Sequence, residues 1–253
     1  MIQESFTAGH TQIHRLDPRL KILFATLYSF IVALSEGFLP LFAALVLSFL
    51  LIGLARLNIR EVTKRVVLVN GLIVLFWLVL PLTFEGEALF YLGPFAVTRE
   101  GLNVSARITL KSNAILLVFI TLVASTSIAT LGYALNRLYI PEKLVYFFIL
   151  TYRYMFVIEQ EYQRLVKAAK IRGFHPGNNL HTYRTYAYLI GMLFVRASAR
   201  AERVHNAMLC RGFKGKFYCL REFSFSRQDL IWSAFMAIAV IGLAFLEWVK
   251  ISW

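Results

Sequence analysis

Long apolar runs separated by short polar stretches dominate the pattern of this chain. A helix needs roughly 20 mostly apolar residues to cross the hydrocarbon of a bilayer, which is about 30 Å thick. The first run is short and lies between Lys21 and Glu36, and the flanking Arg19 can extend its charge to the interface. The pattern predicts an all-α, polytopic membrane protein with about five transmembrane helices, at 22–35, 38–55, 66–84, 112–131 and 230–249.

Two further apolar runs, 144–152 and 186–195, are too short to span a bilayer alone. We interpret them as buried helix segments. Whether either run enters the bilayer stays open at this point.

Composition supports a membrane protein, and charge gives its orientation. Hydrophobic residues make up 58% of the 253 residues, against roughly 45–50% in soluble domains. Residues 134–227 hold 16 Lys and Arg and 5 Asp and Glu, so this region carries +11 of the total net charge of +13. Because basic residues collect in cytoplasmic loops, the N-terminus, the loop at 56–65 and the region 134–227 are predicted inside the cell. We expect 1–253 to be one multi-pass domain of the cell (inner) membrane, with its C-terminus outside.

The same charge could indicate nucleic-acid binding. Membrane topology already explains the asymmetry, so no nucleic-acid partner is predicted. Some of the charge is expected to contact anionic lipid head groups of the bilayer.

Two cations do not fit the apolar pattern. Arg107 and Lys111 fall at the outer end of the predicted fourth span. Four-residue spacing places them on one helix face. We expect them to point into the helix bundle or to extend outward to the interface.

A repeat lies within the basic region. The segments AAKIRGF at 168–174 and AMLCRGF at 207–213 are 39 residues apart. Before each one, apolar residues recur at spacings of three and four, which is the pattern of an amphipathic helix. These apolar stripes are Met155, Ile158, Tyr162, Leu165 and Ala169 in one copy, and Phe194, Ala197, Ala201, Val204 and Met208 in the other. The opposite, polar faces are assigned Glu159, Gln163, Arg164 and Lys167, and Arg196, Arg200 and Arg203.

Each copy ends in Arg-Gly-Phe, which has two explanations. Glycine after the last helical residue is a common cap, arginine suits the negative end of the helix dipole, and the phenylalanine can pack back on its own helix. Alternatively, two equal ends suit two equal grooves on a dimeric partner.

No catalytic arrangement is recognisable. The chain has no glycine-rich phosphate loop, no Ser–His–Asp set and no carboxylate pair at suggestive spacing. His10 and His14 could offer two ligands to a metal, but two ligands make a weak site, and we interpret them as tail residues. Cys210 and Cys219 are expected to be reduced thiols. We therefore predict no enzyme activity, no cofactor and no metal site.

Several segments in their observed order resemble CbiQ, the transmembrane (T) component of cobalt-type energy-coupling factor (ECF) transporters. They are HRLDPRLKIL before the first span, GPFAVTREGL, NRLYIPEKLV, TYRYMF and the two Arg-Gly ends. The likeness covers about 14–213.

The resemblance implies an ABC-type importer in which this chain joins two cytoplasmic ATPase subunits (CbiO-like) to a substrate-capture membrane subunit (CbiM/CbiN-like). In the family, coupling helices end in Ala-Arg-Gly or a similar motif whose arginine enters a groove on each ATPase. This correspondence assigns ATPase coupling to Arg172 and Gly173 and to Arg211 and Gly212. The chain departs from the pattern at the leading alanine, where it has Ile171 and Cys210.

The resemblance therefore implies that 134–227 is a cytoplasmic coupling-helix region and that the cargo is cobalt(II). Nickel or a vitamin carried through a shared module is the nearest alternative. A membrane enzyme acting on lipids would need an acid–base or metal cluster that the sequence lacks.

Overall fold

The computed structural model describes residues 16–84, 88–92, 95–138, 140–214 and 227–251. Within these ranges the chain is overwhelmingly helical, so the predicted all-helical polytopic class is confirmed. The described ranges also contain one two-stranded antiparallel hairpin, formed by β1 (Ala88–Leu92) and β2 (Phe95–Thr98). The helices are α1 (Pro18–Leu34), α2 (Phe38–Ala55), α3 (Ile59–Thr83), α4 (Arg99–Val118), α5 (Ile128–Arg137), α6 (Glu142–Ile171), α7 (Leu180–Cys210) and α8 (Arg227–Ile251).

Four helical segments of the described chain are long and apolar enough to cross a membrane. They are Phe38–Ala55, Ile59–Thr83, Arg99–Val123 and Gln228–Trp248. The predicted first span forms α1, whose 17 residues rise about 26 Å, close to the thickness of the hydrocarbon core.

The predicted bounds of the fourth span were wrong. The helix begins at Arg99 and continues through a π turn, Phe119–Val123, where the span ends. Its start is fixed by Thr98, whose hydroxyl accepts a hydrogen bond from the Gly101 N–H at 3.3 Å, a helix N-cap. Arg99 and Glu100, which precede the predicted span, therefore lie on the first turn of this helix.

The chain forms two compact units, residues 132–221 and the remainder. In the remainder, α3 and α4 pack closely. A Cβ added to Gly101 would lie 2.6 Å from the Pro81 Cα, so only glycine fits there. Further along, Asn70 and Asn113 exchange two hydrogen bonds of 3.0 Å between their side-chain amides. Such polar pairs hold helices together in lipid, where no water competes for the groups.

Arg107 and Lys111 both lie inside α4, and they point into the bundle, which is the first of the two alternatives that the sequence left open. The Lys111 ammonium donates to the Ala33 carbonyl at 2.8 Å, and the Arg107 guanidinium lies 5.3 Å from the ring centre of Phe38. Their expected position at the end of the helix was wrong, because α4 begins before both of them.

The unit 132–221 contains the long helices α6 and α7, of 30 and 31 residues, joined by 172–179. The apolar runs 144–152 and 186–195 are parts of these helices, so helix was predicted correctly. Their predicted burial was wrong. Phe147 is 69% exposed, and Tyr188, Ile190 and Phe194 are 61–76% exposed.

Candidate functional site

Both Arg-Gly-Phe segments form the same helix C-cap. At the end of α6, the Phe174 N–H donates to the Ala169 carbonyl at 3.1 Å and the Gly173 N–H to the Lys170 carbonyl at 3.0 Å. The end of α7 repeats this pair with Phe213 to Met208 and Gly212 to Leu209, at 3.0 and 2.9 Å. This pair of backbone hydrogen bonds is the Schellman motif. It requires a left-handed residue, and Gly173 and Gly212 have φ of 81° and 77°.

The caps leave both arginines exposed at the helix ends. Arg172 and Arg211 are the C-cap residues themselves, and both side chains face solvent. Neither has a salt bridge to a carboxylate in the parts of the chain that the structure describes. Ile171, which stands where the family motif has alanine, is 87% exposed, so the motif's surroundings do not bury it.

The phenylalanine of each cap has its aromatic partner on the opposite helix. Phe174 lies edge-on to Tyr186 of α7, with ring centres 5.7 Å apart. Phe213 stacks on Tyr146 of α6, with ring centres 5.5 Å apart and planes at 24°. One of the two explanations of the motif had each phenylalanine packing on its own helix, and neither explanation predicted this cross-helix contact.

These contacts show that α6 and α7 run antiparallel. The start of α6 meets the end of α7 at Tyr146 and Phe213, and the end of α6 meets the start of α7 at Phe174 and Tyr186. Arg172 and Arg211 therefore lie at opposite ends of one helical hairpin. A rise of 1.5 Å per residue between positions 146 and 172 separates the two ends by roughly 40 Å.

One carboxylate connects the two helices between these ends. Glu161 of α6 accepts from Arg196 of α7 at 2.5 Å, and Arg200 of α7 lies 3.9 Å from its second oxygen. Arg164, one turn along α6, is 3.7 Å away. The sequence predicted Arg196 and Arg200 on the face opposite the apolar stripe and did not predict these contacts with α6.

The arginines change the acid–base behaviour of Glu161. The hydrogen bond from Arg196 is the largest influence, and the charges of all three guanidiniums add to it. Together they hold the pKa of Glu161 below its ordinary value, against the opposing effect of burial. Its carboxylate is therefore ionised at neutral pH.

An open apolar groove of about 640 Å³ lies between α6 and α7. It is bordered by Met155 and Ile158 of the first apolar stripe and by the whole of the second stripe. Members of the stripes stay partly open, since Met155, Ile158 and Tyr162 are 36–41% exposed. Along this groove the two helices do not interdigitate as they would in a closed core.

No group of three His, Cys, Asp or Glu side chains able to hold a metal occurs among the described residues. His10, His14 and Cys219 lie outside those residues, and the predictions about them stay predictions. Cys210 is an exposed free thiol. The two helix ends present the exposed guanidiniums of Arg172 and Arg211.

Comparisons with known proteins match this chain to transporter components. It is 28% identical to the energy-coupling factor transporter transmembrane protein EcfT of Acidaminococcus fermentans, over 95% of this chain and 94% of that one. It is 27% identical to the EcfT proteins of Brevibacillus brevis, over 93% and 94% of the two chains, and of Bacillus subtilis, over 85% of each.

A family model described as CbiQ, cobalt transport protein, matches residues 9–219. This match covers most of the chain, including both Arg-Gly-Phe ends. The apolar helices agree with such a family, because they make the chain a multi-pass protein of the cell membrane. From this match and the EcfT relatives, we conclude that the chain belongs to the CbiQ family, the transmembrane components of energy-coupling factor transporters.

Proposed function

We propose that this chain is the non-catalytic coupling subunit of an ECF-type ABC importer. In this proposal Arg172 and Arg211 each enter a groove on one of two cytoplasmic ATPase subunits (CbiO-like). Gly173 and Gly212 shape the helix ends that present these arginines. Motion of the ATPases passes through α6 and α7 to a substrate-capture membrane subunit (CbiM/CbiN-like).

The observation that carries the proposal is the pair of equal ends. Two exposed arginines, held by the same cap, lie roughly 40 Å apart at the two ends of one hairpin. A partner with one groove per subunit and twofold symmetry would present the same socket twice. A helix cap explains either end alone, but it does not explain why the same exposed arginine occurs at both.

Arginine suits this role chemically. Its guanidinium is always charged and presents a rigid fork of donors that matches a carboxylate in two hydrogen bonds. A docking contact of this kind transmits position as well as affinity, because two parallel bonds fix the orientation of the pair.

The cargo proposed is cobalt(II), with nickel or a vitamin as the alternatives. Support for cobalt comes from the description of the matching family model, whereas the names of the EcfT relatives specify no cargo. Selection of the cargo is assigned to the capture subunit. Uptake of labelled cobalt, nickel and vitamins by the assembled transporter distinguishes the three.

Arg172→Ala and Arg211→Ala test the docking sites directly. Removing one partner of a buried charge pair costs roughly 2–5 kcal/mol, which weakens that contact about thirtyfold or more. The two contacts act together, so one remaining contact still tethers the ATPases. We expect each single variant to lower transport and the double variant to lose co-purifying ATPase.

The matched control is Arg203→Ala, which removes an exposed arginine from the body of α7 and leaves both ends intact. It should behave like the unmodified chain. All variants should insert into membranes normally. If the double variant still co-purifies with ATPase and transports at the normal rate, the two ends are ordinary helix caps.

A further inference from the structure

The two helix ends are held by a reciprocal pair of aromatic contacts. Phe174, at the end of α6, contacts Tyr186 near the start of α7, and Phe213, at the end of α7, contacts Tyr146 near the start of α6. The phenylalanines are 39 positions apart and the tyrosines 40. The hairpin therefore has the same kind of aromatic contact at each end, and an approximate twofold axis relates the two contacts.

We propose that Phe174 and Phe213 are positioning residues, which fix each Arg-Gly end to the base of the opposite helix and so set the spacing and direction of Arg172 and Arg211. This inference rests on the proposed coupling function and names what keeps its two contacts in register. Neither phenylalanine touches the ATPases in this proposal.

The surroundings explain why the ends need such a contact. Between them the hairpin is joined at Glu161, while the apolar groove leaves the stripes on both sides partly open. An open groove does not define the angle between two helices, because few side chains interlock there. The aromatic contacts at the ends supply the constraint that the groove lacks.

The link from ring to arginine is short and stiff. Each phenylalanine follows its arginine by two residues, and the glycine between them is held by the cap in a left-handed conformation. Phe174 is 9% exposed, so its ring is anchored rather than free to rotate in water. Moving either ring would therefore redirect the guanidinium two residues before it.

Distance measurements by pulsed electron paramagnetic resonance test the positioning role in the full chain in lipid nanodiscs. Spin labels are attached at Lys167→Cys and Lys214→Cys, both exposed sites, after Cys210 and Cys219 are replaced by serine. We expect one narrow distance distribution in the reference chain. Phe213→Leu and Tyr146→Leu should each broaden it, and Phe213→Tyr, which keeps the ring, should not.

The matched control is Tyr162→Leu, which removes an aromatic ring from α6 at a position with no aromatic partner in the described chain. It should leave the distribution narrow. Arg211→Ala should also leave it narrow, because the arginine takes no part in the ring contact. The two hypotheses therefore fail in different measurements. If Arg211 does not dock on an ATPase, Arg211→Ala would transport normally, and the distance distributions would be unaffected. If Phe213 does not position the helix end, the distribution would stay narrow in Phe213→Leu, and Arg211→Ala would still lower transport.

In the assembled transporter, Phe213→Leu should lower transport roughly two- to tenfold, the range expected for losing one aromatic contact, although Arg211 is still present. Phe213→Tyr should restore it. A narrow distance distribution and a normal transport rate in both Phe174→Leu and Phe213→Leu would overturn the proposal.

Discussion

Glu161 shows how one residue can join two helices that otherwise face an open groove. Its carboxylate lies within 4.0 Å of three guanidiniums, two of them on the other helix. The sequence offered no signal for this, because a glutamate among many charges on a long helix looks like an ordinary solvated residue. Only the antiparallel arrangement of α6 and α7 brings Arg196 and Arg200 to it.

The lowered pKa of Glu161 predicts a specific dependence on pH. The pKa of this carboxylate is lower in the folded chain than its ordinary value of 4.5, so the carboxylate stabilises the fold at pH values above 4.5. This contribution is lost as the pH falls through the folded pKa. Hydrogen exchange of α6 and α7 should therefore be faster in Glu161→Gln than in the unmodified chain at pH 7. The difference should disappear as the pH falls below 4.5.

The control is Glu202→Gln, since Glu202 is exposed on α7 and has no ion pair among the residues described. It should exchange like the unmodified chain at every pH. Because the guanidiniums are 44–73% exposed, added salt should reduce the Glu161 effect. Equal exchange in Glu161→Gln and the unmodified chain at pH 7 would contradict this account.

At the scale of elements, the ends of α6 and α7 depend on their glycines through backbone conformation alone. Nothing lies within 4 Å of a Cβ added at Gly173 or Gly212, so alanine would fit without a clash. It would still be strained by the positive φ. We expect Gly173→Ala and Gly212→Ala each to cost about 1 kcal/mol, measured by exchange of the amides in the last helical turn.

Asparagine at either position should cost less than alanine, because it tolerates the left-handed conformation. Gly191→Ala is the contrasting control. Gly191 lies inside α7, with nothing within 4 Å of an added Cβ, so alanine there should stabilise the helix by roughly 0.5–1 kcal/mol. A loss at Gly191 as large as at the two caps would remove the conformational explanation.

The accuracy of the predicted elements depended on whether hydrophobicity and helix formation coincide. They coincide in α2, whose predicted bounds 38–55 match the structure. They separate in α4, whose first turns carry charges and still form helix after the Thr98 cap. They separate again in α6 and α7, where the apolar runs 144–152 and 186–195 are short parts of helices of 30 and 31 residues.

At the scale of the whole molecule, the basic loops predict which ends face the cytoplasm. We expect the α1–α2 turn to lie outside the cell and the α2–α3 turn inside. In a cysteine-free chain, single cysteines at Glu36 and Lys64, both exposed, should be labelled from opposite sides by a reagent that does not cross membranes. Labelling of both from the same side would contradict the predicted orientation, and with it the predicted cytoplasmic position of α6 and α7.

The candidate site could be located from the sequence but not assembled from it. A repeated Arg-Gly-Phe after an amphipathic stripe is visible in one dimension, so Arg172, Gly173, Arg211 and Gly212 were identifiable. Contacts between the two copies are not visible there. Tyr146 lies 67 residues before Phe213, whereas Tyr186 lies 12 residues after Phe174, and no spacing rule connects either pair.

The π turn at the end of α4 allows the number of residues in that helix to vary. A π turn accommodates one more residue than the α-helical turn it replaces. Because the wide turn absorbs that extra residue, deleting one residue within 119–123 would allow an uninterrupted α-helix and would keep the residues beyond it in phase. Thr126, whose hydroxyl accepts a hydrogen bond of 3.2 Å from the buried Lys21 ammonium, would then stay beside it. An alignment of relatives should therefore show single-residue gaps in this segment without an accompanying change at position 21 or 126.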